Sequence, residues 1–268
     1  MDLSKLNTEQ RKAVETLEGP VLILAGAGSG KTRALTYRVA NLMDNGVAPE
    51  AILALTFTNK AAKEMKIRIA QLVGEDKAGR TWISTFHSSC ARILRRDVEK
   101  LGYSRSFAIY DDDDQTSVLK EVFKRINIDD KYISMREVKS VISKIKNGIM
   151  TTDEWYRTTM QDHRNLMIYN IINEYGLRLK ELNALDFDDL LLLTLELLAD
   201  HPPVLQAYRN RFRYVLVDEY QDTNKAQYEL VRLLTAESRN LCVVGDDDQS
   251  IYGWRGADIS NILDFEDD

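Results

Sequence analysis

The stretch Val21-Leu22-Ile23-Leu24-Ala25-Gly26-Ala27-Gly28-Ser29-Gly30-Lys31-Thr32 decides the fold. Four apolar residues run straight into a glycine-rich turn, and a helical pattern begins at Lys31. A buried strand, a phosphate loop and a helix N-terminus in that order form a P-loop, here with Ala25 in the place of its first glycine. The glycines let successive backbone N–H groups curl around an anion without a Cβ in the way. The helix contributes its positive dipole end and its unpaired N–H groups. In this arrangement Lys31 reaches the β- and γ-phosphates of a nucleotide, and the Thr32 hydroxyl ligates Mg²⁺. The plain alternative is a strand-to-helix turn that merely uses glycine; the presence of all three parts weighs against it. The expected fold is α/β, a P-loop nucleotide-binding domain whose parallel sheet is flanked by helices.

Outward from that loop, the chain repeats the strand, polar turn and helix plan. Upstream, Asn7 or Thr8 can cap a first helix with Leu6, Val14 and Leu17 on its apolar side. Downstream, Ala51 to Phe57 is a near-continuous apolar run, fit for a strand buried on both faces. It delivers Phe57, Thr58, Asn59 and Lys60 to a helix N-terminus. Bases can stack on Phe57 while the three polar residues meet phosphates; the other reading makes Phe57 core and Lys60 solvated surface. Thr81 to Ser88 follows the same plan and places Thr85, Phe86 and His87 at its turn, with His87 a capping or nucleic-acid-contact residue. Tyr214 to Val217 is a further strand, and it ends in Asp218 and Glu219. At the carboxyl end of such a strand one acid can hold Mg²⁺ and its neighbour can deprotonate an attacking water. Leu241 to Gly245 is the last strand, followed by Gln249, placed to sense a γ-phosphate. Tyr252 and Trp254 alternate with polar residues, as aromatics that stack on bases do, and Arg255 can pair with a phosphate.

Between about Ser106 and Asn183 the periodicity becomes helical and the parallel-strand signals stop, which predicts a helical insertion. Asp111 to Asp114 is read as an N-cap with a solvated acidic turn rather than a metal cluster. Asp186 to Asp189 caps another helix, closed by His201-Pro202-Pro203. From Lys131 to Asn147, Lys131, Arg136, Lys139, Lys144 and Lys146 face only Glu137 in acid, a patch that suits either phosphate contact or a solvated helix face.

Composition bounds the rest. The chain has 268 residues, 44% hydrophobic and 29% charged, with a net charge of -6, so any nucleic-acid surface has to be local. Cys90 and Cys242 sit in apolar runs and read as buried free thiols of a reducing cytoplasm. No stretch reaches transmembrane length and Met1-Asp2-Leu3-Ser4 opens no signal peptide, so a cytoplasmic protein without membrane partners is expected.

Taken together, these stretches resemble the N-terminal half of UvrD/Rep/PcrA-type DNA helicases of superfamily one. Leu6-Asn7-Thr8-Glu9-Gln10 resembles the adenine-reading Q motif of that family. Ala25 to Thr32 is similar to motif I, Thr56 to Met65 to motif Ia, and Thr85-Phe86-His87 to motif Ib. Leu185 to Leu190 resembles the segment before motif II, Val217 to Asn224 motif II, and Gly245 to Asp258 motif III. The resemblance implies an ATP-dependent helicase of 3′ to 5′ polarity acting in DNA repair or replication, with ATP and Mg²⁺ as cofactors. By that likeness Gln10 reads adenine and Arg33 lies beside the nucleotide bound by residues 25 to 32. Thr32 and Asp218 hold Mg²⁺, Glu219 is the general base, and Gln249 and Arg255 contact the γ-phosphate. Phe57, Thr58, Asn59, Lys60, Thr85, His87, Tyr252 and Trp254 meet single-stranded DNA near junctions with duplex.

The implied division is a RecA-like domain in residues 1–107 and 184–268, holding an all-helical insertion in 108–183. Motifs IV to VI, which the family carries in a second RecA-like half, have no counterpart here. Asp264-Phe265-Glu266-Asp267-Asp268 shows no helix stop and reads as a cut in mid-domain. The expected partners are single-stranded DNA and that second half, and the expectation for this piece alone is weak ATP binding without robust unwinding. A stand-alone nucleotide- and DNA-binding module without motor activity, or the helicase part of a RecB/AddA-type helicase-nuclease, are the alternatives.

Overall fold

The structure is a computed structural model that describes residues 2–24, 26, 30–128, 132–246 and 265. In chain order it runs α1 (Thr8–Glu15), β1 (Val21–Leu24), α2 (Lys31–Asp44), β2 (Ile52–Thr56), α3 (Asn59–Val73), α4 (Glu75–Arg80), β3 (Trp82–Thr85) and α5 (Phe86–Asp97). Then come β4 (Ala108–Tyr110), α6 (Asp112–Arg125), α7 (Met135–Asn147), α8 (Thr152–Thr158), α9 (His163–Glu181), β5 (Ala184–Asp186) and α10 (Phe187–Asp200). The chain continues with α11 (Pro202–Arg211), β6 (Tyr214–Val217), α12 (Lys225–Thr235) and β7 (Leu241–Gly245).

The chain divides into two compact units, residues 1–89 with 201–268, and residues 90–200. The first is built on a parallel sheet with the strand order β1-β7-β6-β2-β3. Strands β2 and β6 are buried along their whole length, as uninterrupted apolar runs covered on both faces should be. Leu35, Val39 and Leu42 of α2 pack with Ile52 and Ala54 of β2, Leu216 of β6 and Val244 of β7 in one cluster. Parallel pairing puts the carboxyl ends of all five strands on one edge. In that order the ends of β1, β7 and β6 adjoin one another at one side of the sheet, and those of β2 and β3 follow at the other.

The second unit has its own core, in which Leu119, Val122 and Phe123 of α6, Val138, Ile142 and Ile145 of α7, and Ile168, Ile171 and Tyr175 of α9 meet. Asp111 caps α6 as its position predicts, in a reciprocal capping box with Asp114. Besides its helices this unit carries a two-stranded parallel ribbon, Ala108–Tyr110 against Ala184–Asp186. Three-residue strands leave too short a pattern to read. The unit runs from 90 to 200, and at its C-terminal side α10 packs on α7 and β5.

The basic patch expected on α7 is corrected. Lys146 is turned inward, with its Nζ 2.6 Å from Asp186 Oδ2 and 2.7 Å from Asp189 Oδ1. Lys139 donates to Asp112 Oδ1, Asp112 O and Thr116 Oγ1 at 2.6–2.8 Å. Counting charges along the chain left both free for phosphate or for solvent; carboxylates from elsewhere in the unit claim them. Arg136 and Lys144 remain exposed, and Lys131 lies outside the described residues. His201-Pro202-Pro203 closes α10 as expected and also opens α11, with proline at its first positions. No helix among the described residues is long and apolar enough to cross a membrane.

Candidate functional site

The turns after β1, β7 and β6 bring one cation and three carboxylates together. Lys31 opens α2 directly after Gly30, whose φ of +87° only glycine takes without strain. Its Nζ lies 3.2 Å from Asp246 Oδ2, one residue beyond β7, and 3.9 Å from Glu219 Oε2, beyond β6. The Lys31 and Asp246 side chains are only 9% and 2% exposed. At such burial the ammonium and carboxylate interact far more strongly than they would in water. Lys31 is thereby held at the start of α2, directly after Gly30.

Asp218 and Glu219 differ in environment although they are adjacent. Asp218 N–H donates to Leu55 O at 3.0 Å, the last rung between β6 and β2. The chain then turns sharply: Glu219 sits at φ 51°, ψ 47°, a left-handed conformation that costs a non-glycine residue about 1–2 kcal/mol. This turn keeps Asp218 buried while the Glu219 side chain stays 44% exposed. Burial first, then the charge of Glu219, push the Asp218 carboxyl up to about 6. The Glu219 side chain is held from behind: Gln221 Nε2 donates to its Oε2 at 2.7 Å. The carbonyl oxygen of the same buried amide accepts from Asp246 N–H at 3.0 Å. Gln221 therefore ties the β6 turn to the β7 turn.

Sequence reasoning missed both Gln221 and Asp246. A local pattern carries no sign of a partner 215 residues away, the separation of Lys31 and Asp246. The one available signal was an acid standing immediately past an apolar strand.

The donor set fits a hard divalent cation, since the Thr32 hydroxyl and the Asp218 carboxylate offer oxygen only. A buried carboxylate pushed upward in pKa is also a group whose charged form a cation restores. The raised value has a consequence for stability. A carboxyl at 3.8 unfolded and about 6 folded favours folding below 3.8, and that contribution is lost as pH rises through 6. Asp218→Asn, which keeps the shape and removes the charge, is expected to stabilise the chain by about 2–3 kcal/mol at pH 8. Its melting temperature should rise by about 5–10 °C at pH 8 and hardly at all at pH 4. Equal shifts at both pH values would show that the charge is not the cause.

On the other part of the edge, Phe57 is half-buried with its ring 5.5 Å from that of the buried Phe86. Thr58, Asn59 and Lys60 are exposed. Thr58 Oγ1 accepts from Ala61 N–H and caps α3. Lys60 occupies the first turn of α3, at its positive dipole end, where no acid accompanies it. Thr85 is buried, and its hydroxyl is committed to Ser88, donating to Oγ at 2.9 Å and accepting from N–H at 3.1 Å. Its part is to shape the turn. His87 is half-buried on the first turn of α5.

Of the residues expected beside a nucleotide, Gln10 lies in a capping box with Asn7, and Arg33 is exposed. Ala25, Ala27, Gly28, Ser29, Gln249, Tyr252, Trp254 and Arg255 lie outside the described residues; Gly26 is described and exposed.

The sequence matches the UvrD/REP helicase N-terminal domain over residues 6–268. The chain belongs to that family. Among its relatives is the ATP-dependent DNA helicase PcrA of Staphylococcus aureus strain Mu50, 54% identical over 267 residues. The PcrA of Staphylococcus epidermidis strain RP62A shows the same identity over the same length. Each match covers 99% of this chain and 36% of the relative, so the chain spans about a third of the length of these helicases. As a member of the UvrD/REP family it has the α/β architecture with a parallel sheet that the P-loop stretch predicts.

Proposed function

We propose that this chain is the ATP- and single-strand-binding half of an ATP-dependent DNA helicase of 3′ to 5′ polarity, acting at single-strand/duplex junctions in DNA repair or replication. The observation that carries the reading is the convergence of Lys31, Asp218, Glu219 and Asp246 on adjoining strand ends, beside a second pair of strand ends that present Phe57 and Lys60.

In this reading Lys31 offsets the charge of the β- and γ-phosphates cradled by residues 25 to 30, with Arg33 beside them. Thr32 and Asp218 hold Mg²⁺, which when bound polarises the phosphate oxygens. Glu219 takes the proton of the attacking water, and Gln221 keeps its carboxylate in one orientation. Gln10 reads the adenine base. Gln249 and Arg255 sense the γ-phosphate. Phe57, Tyr252 and Trp254 stack on bases, while Thr58, Asn59, Lys60 and His87 meet the backbone and Thr85 holds the turn. Lys60 at the positive end of α3 supports the phosphate role, since an anion there offsets an otherwise unfavourable placement. The second RecA-like half of the longer protein closes over the site. Arginines from such a partner are worth about three to five powers of ten in rate, so this chain alone should turn over slowly and unwind poorly.

The test separates stacking from packing. Phe57→Leu keeps the apolar contact with Phe86 and removes the flat ring. Its dissociation constant for oligothymidylate is expected to rise about tenfold, the cost of one lost base stack, with ATP affinity unchanged. Unaltered DNA binding would assign Phe57 to the core alone.

A further inference from the structure

Helix α1 is held at its far end by the helix that begins in the phosphate loop. Arg38, on the third turn of α2, is 1% exposed and is one of the largest fully buried side chains. Its Nη1 donates to Ala13 O at 2.6 Å and to Thr16 O, and its Nη2 donates to Leu17 O at 3.2 Å. One turn on, Asn41 Nδ2 donates to Val14 O at 3.0 Å. Four carbonyls at the C-terminal end of α1 are thus received by two side chains of α2. A helix C-terminus exposes unpaired carbonyls and the negative dipole end, so a buried guanidinium meets both needs at once. The chain just beyond is fixed too: Gly19 N–H donates to Asn240 Oδ1 at 2.8 Å, and Tyr214 OH donates to Glu18 Oε1 at 2.6 Å.

The near end of α1 carries Gln10. Its Oε1 accepts from Asn7 N–H at 3.1 Å, which fixes the amide in one plane. Its Nε2 stands over the last glycine of the phosphate loop, 2.6 Å from where a Cβ of Gly30 would be. The Arg38 and Asn41 contacts fix the axis and rotation of α1 on α2. An eight-residue helix is too short to hold its own place in water.

We propose that Arg38, assisted by Asn41, is a positioning residue for base selectivity. By anchoring the C-terminal end of α1 it sets where the Gln10 amide stands relative to the phosphate loop. This rests on the reading of Gln10 as the adenine contact. An amide held in one plane offers a donor and an acceptor in fixed order, which matches adenine and mismatches guanine. An amide on a loosened helix loses that distinction while the phosphate loop keeps its grip on the triphosphate.

The experiment is equilibrium binding of ATP, GTP and inorganic triphosphate to this chain and to Gln10→Ala, Arg38→Met, Arg38→Lys and Asn41→Leu. The ratio of the GTP to the ATP dissociation constant is expected to fall about tenfold in Gln10→Ala and about fivefold in Arg38→Met. Arg38→Lys should recover part of the ratio, and triphosphate affinity should stay unchanged throughout, which a general loss of structure would not allow. A folded Arg38→Met that keeps the wild-type ratio while Gln10→Ala loses it overturns the proposal and leaves the Gln10 reading standing. A Gln10→Ala chain with the wild-type ratio removes the premise and the proposal with it. Should Arg38→Met not fold, Asn41→Leu decides: a lowered ratio supports the anchor, and an unchanged ratio overturns it.

Discussion

Glu219→Gln is expected to lower the ATPase rate about a thousandfold and to leave nucleotide affinity within about threefold. The first figure is the usual worth of a positioned general base. The second follows from the geometry. Glu219 stands 3.9 Å from the Lys31 ammonium, beyond hydrogen-bonding distance, and it is Asp246 at 3.2 Å that holds Lys31 in place. Glutamine keeps the size of the side chain, so the left-handed turn after Asp218 is retained. It cannot take a proton from water, and its amide changes one acceptor into a donor facing Gln221 Nε2. Gln221 is then free to flip its own amide, at the expense of its bond from Asp246 N–H. Measured single-turnover rates and binding isotherms, with and without single-stranded DNA, check both halves. A rate within tenfold of wild type would move the general base to another residue.

Lys146→Met is expected to destabilise residues 90–200 by about 3–5 kcal/mol, the cost of leaving buried carboxylates without their cation. Asp186 is fully buried, and Asp189 nearly so. They are fastened to each other through reciprocal bonds, Asp186 N–H to Asp189 Oδ2 and Asp189 N–H to Asp186 Oδ1. Tyr175 OH adds a donor to Asp186 Oδ2 at 3.0 Å. Lys146 and these donors hold the Asp186 carboxyl below its usual range, and burial together with Asp186 lifts Asp189 to about 6. Removing the ammonium raises both in the folded state. The variant should therefore regain stability as pH falls from 8 to 5, because protonation neutralises what the lysine no longer offsets. Lys146→Met combined with Asp186→Asn and Asp189→Asn should recover most of the loss, since a neutral cluster of similar shape carries little penalty. Thermal melting across that pH range measures all three expectations. A single variant with no loss, or a loss equal at pH 5 and pH 8, would show that the charges are not what holds α7 to α10.

The sheet was legible because each of its strands is an apolar run ending in a polar turn, a pattern contained within ten residues. Tyr214–Val217 and Leu241–Gly245 fall where their runs predict, and α2 ends at Asp44 beside the Asn45-Gly46 turn. Lys31, Asp218 and Glu219 were legible for the same reason, since each stands at the end of such a pattern. What holds them was not. Asp246 acts through Lys31, 215 residues away, and a lone glutamine after a strand looks like any surface residue. Arg38 left a faint mark, a charge on the same helix face as Leu35, Val39 and Leu42, which are all buried. Lys146 was misread because a run of basic residues looks solvated when its carboxylates come from 40 residues downstream. The bonds of the Thr85 hydroxyl to Ser88 were likewise not legible.

The strand order has a consequence for how the chain is made. Among the described residues strand β1 lies at the margin of its sheet, where it pairs with β7. Roughly 220 residues are added between the two, and at about 5–20 residues per second the earliest strand waits on the order of tens of seconds for its mate. Every residue from 90 to 200 is translated during that interval, with β4 and β5 both in hand to pair. The guest is complete before its host can close. Val21 to Leu24 meanwhile stands as a nascent apolar segment whose pairing strand is not yet synthesised.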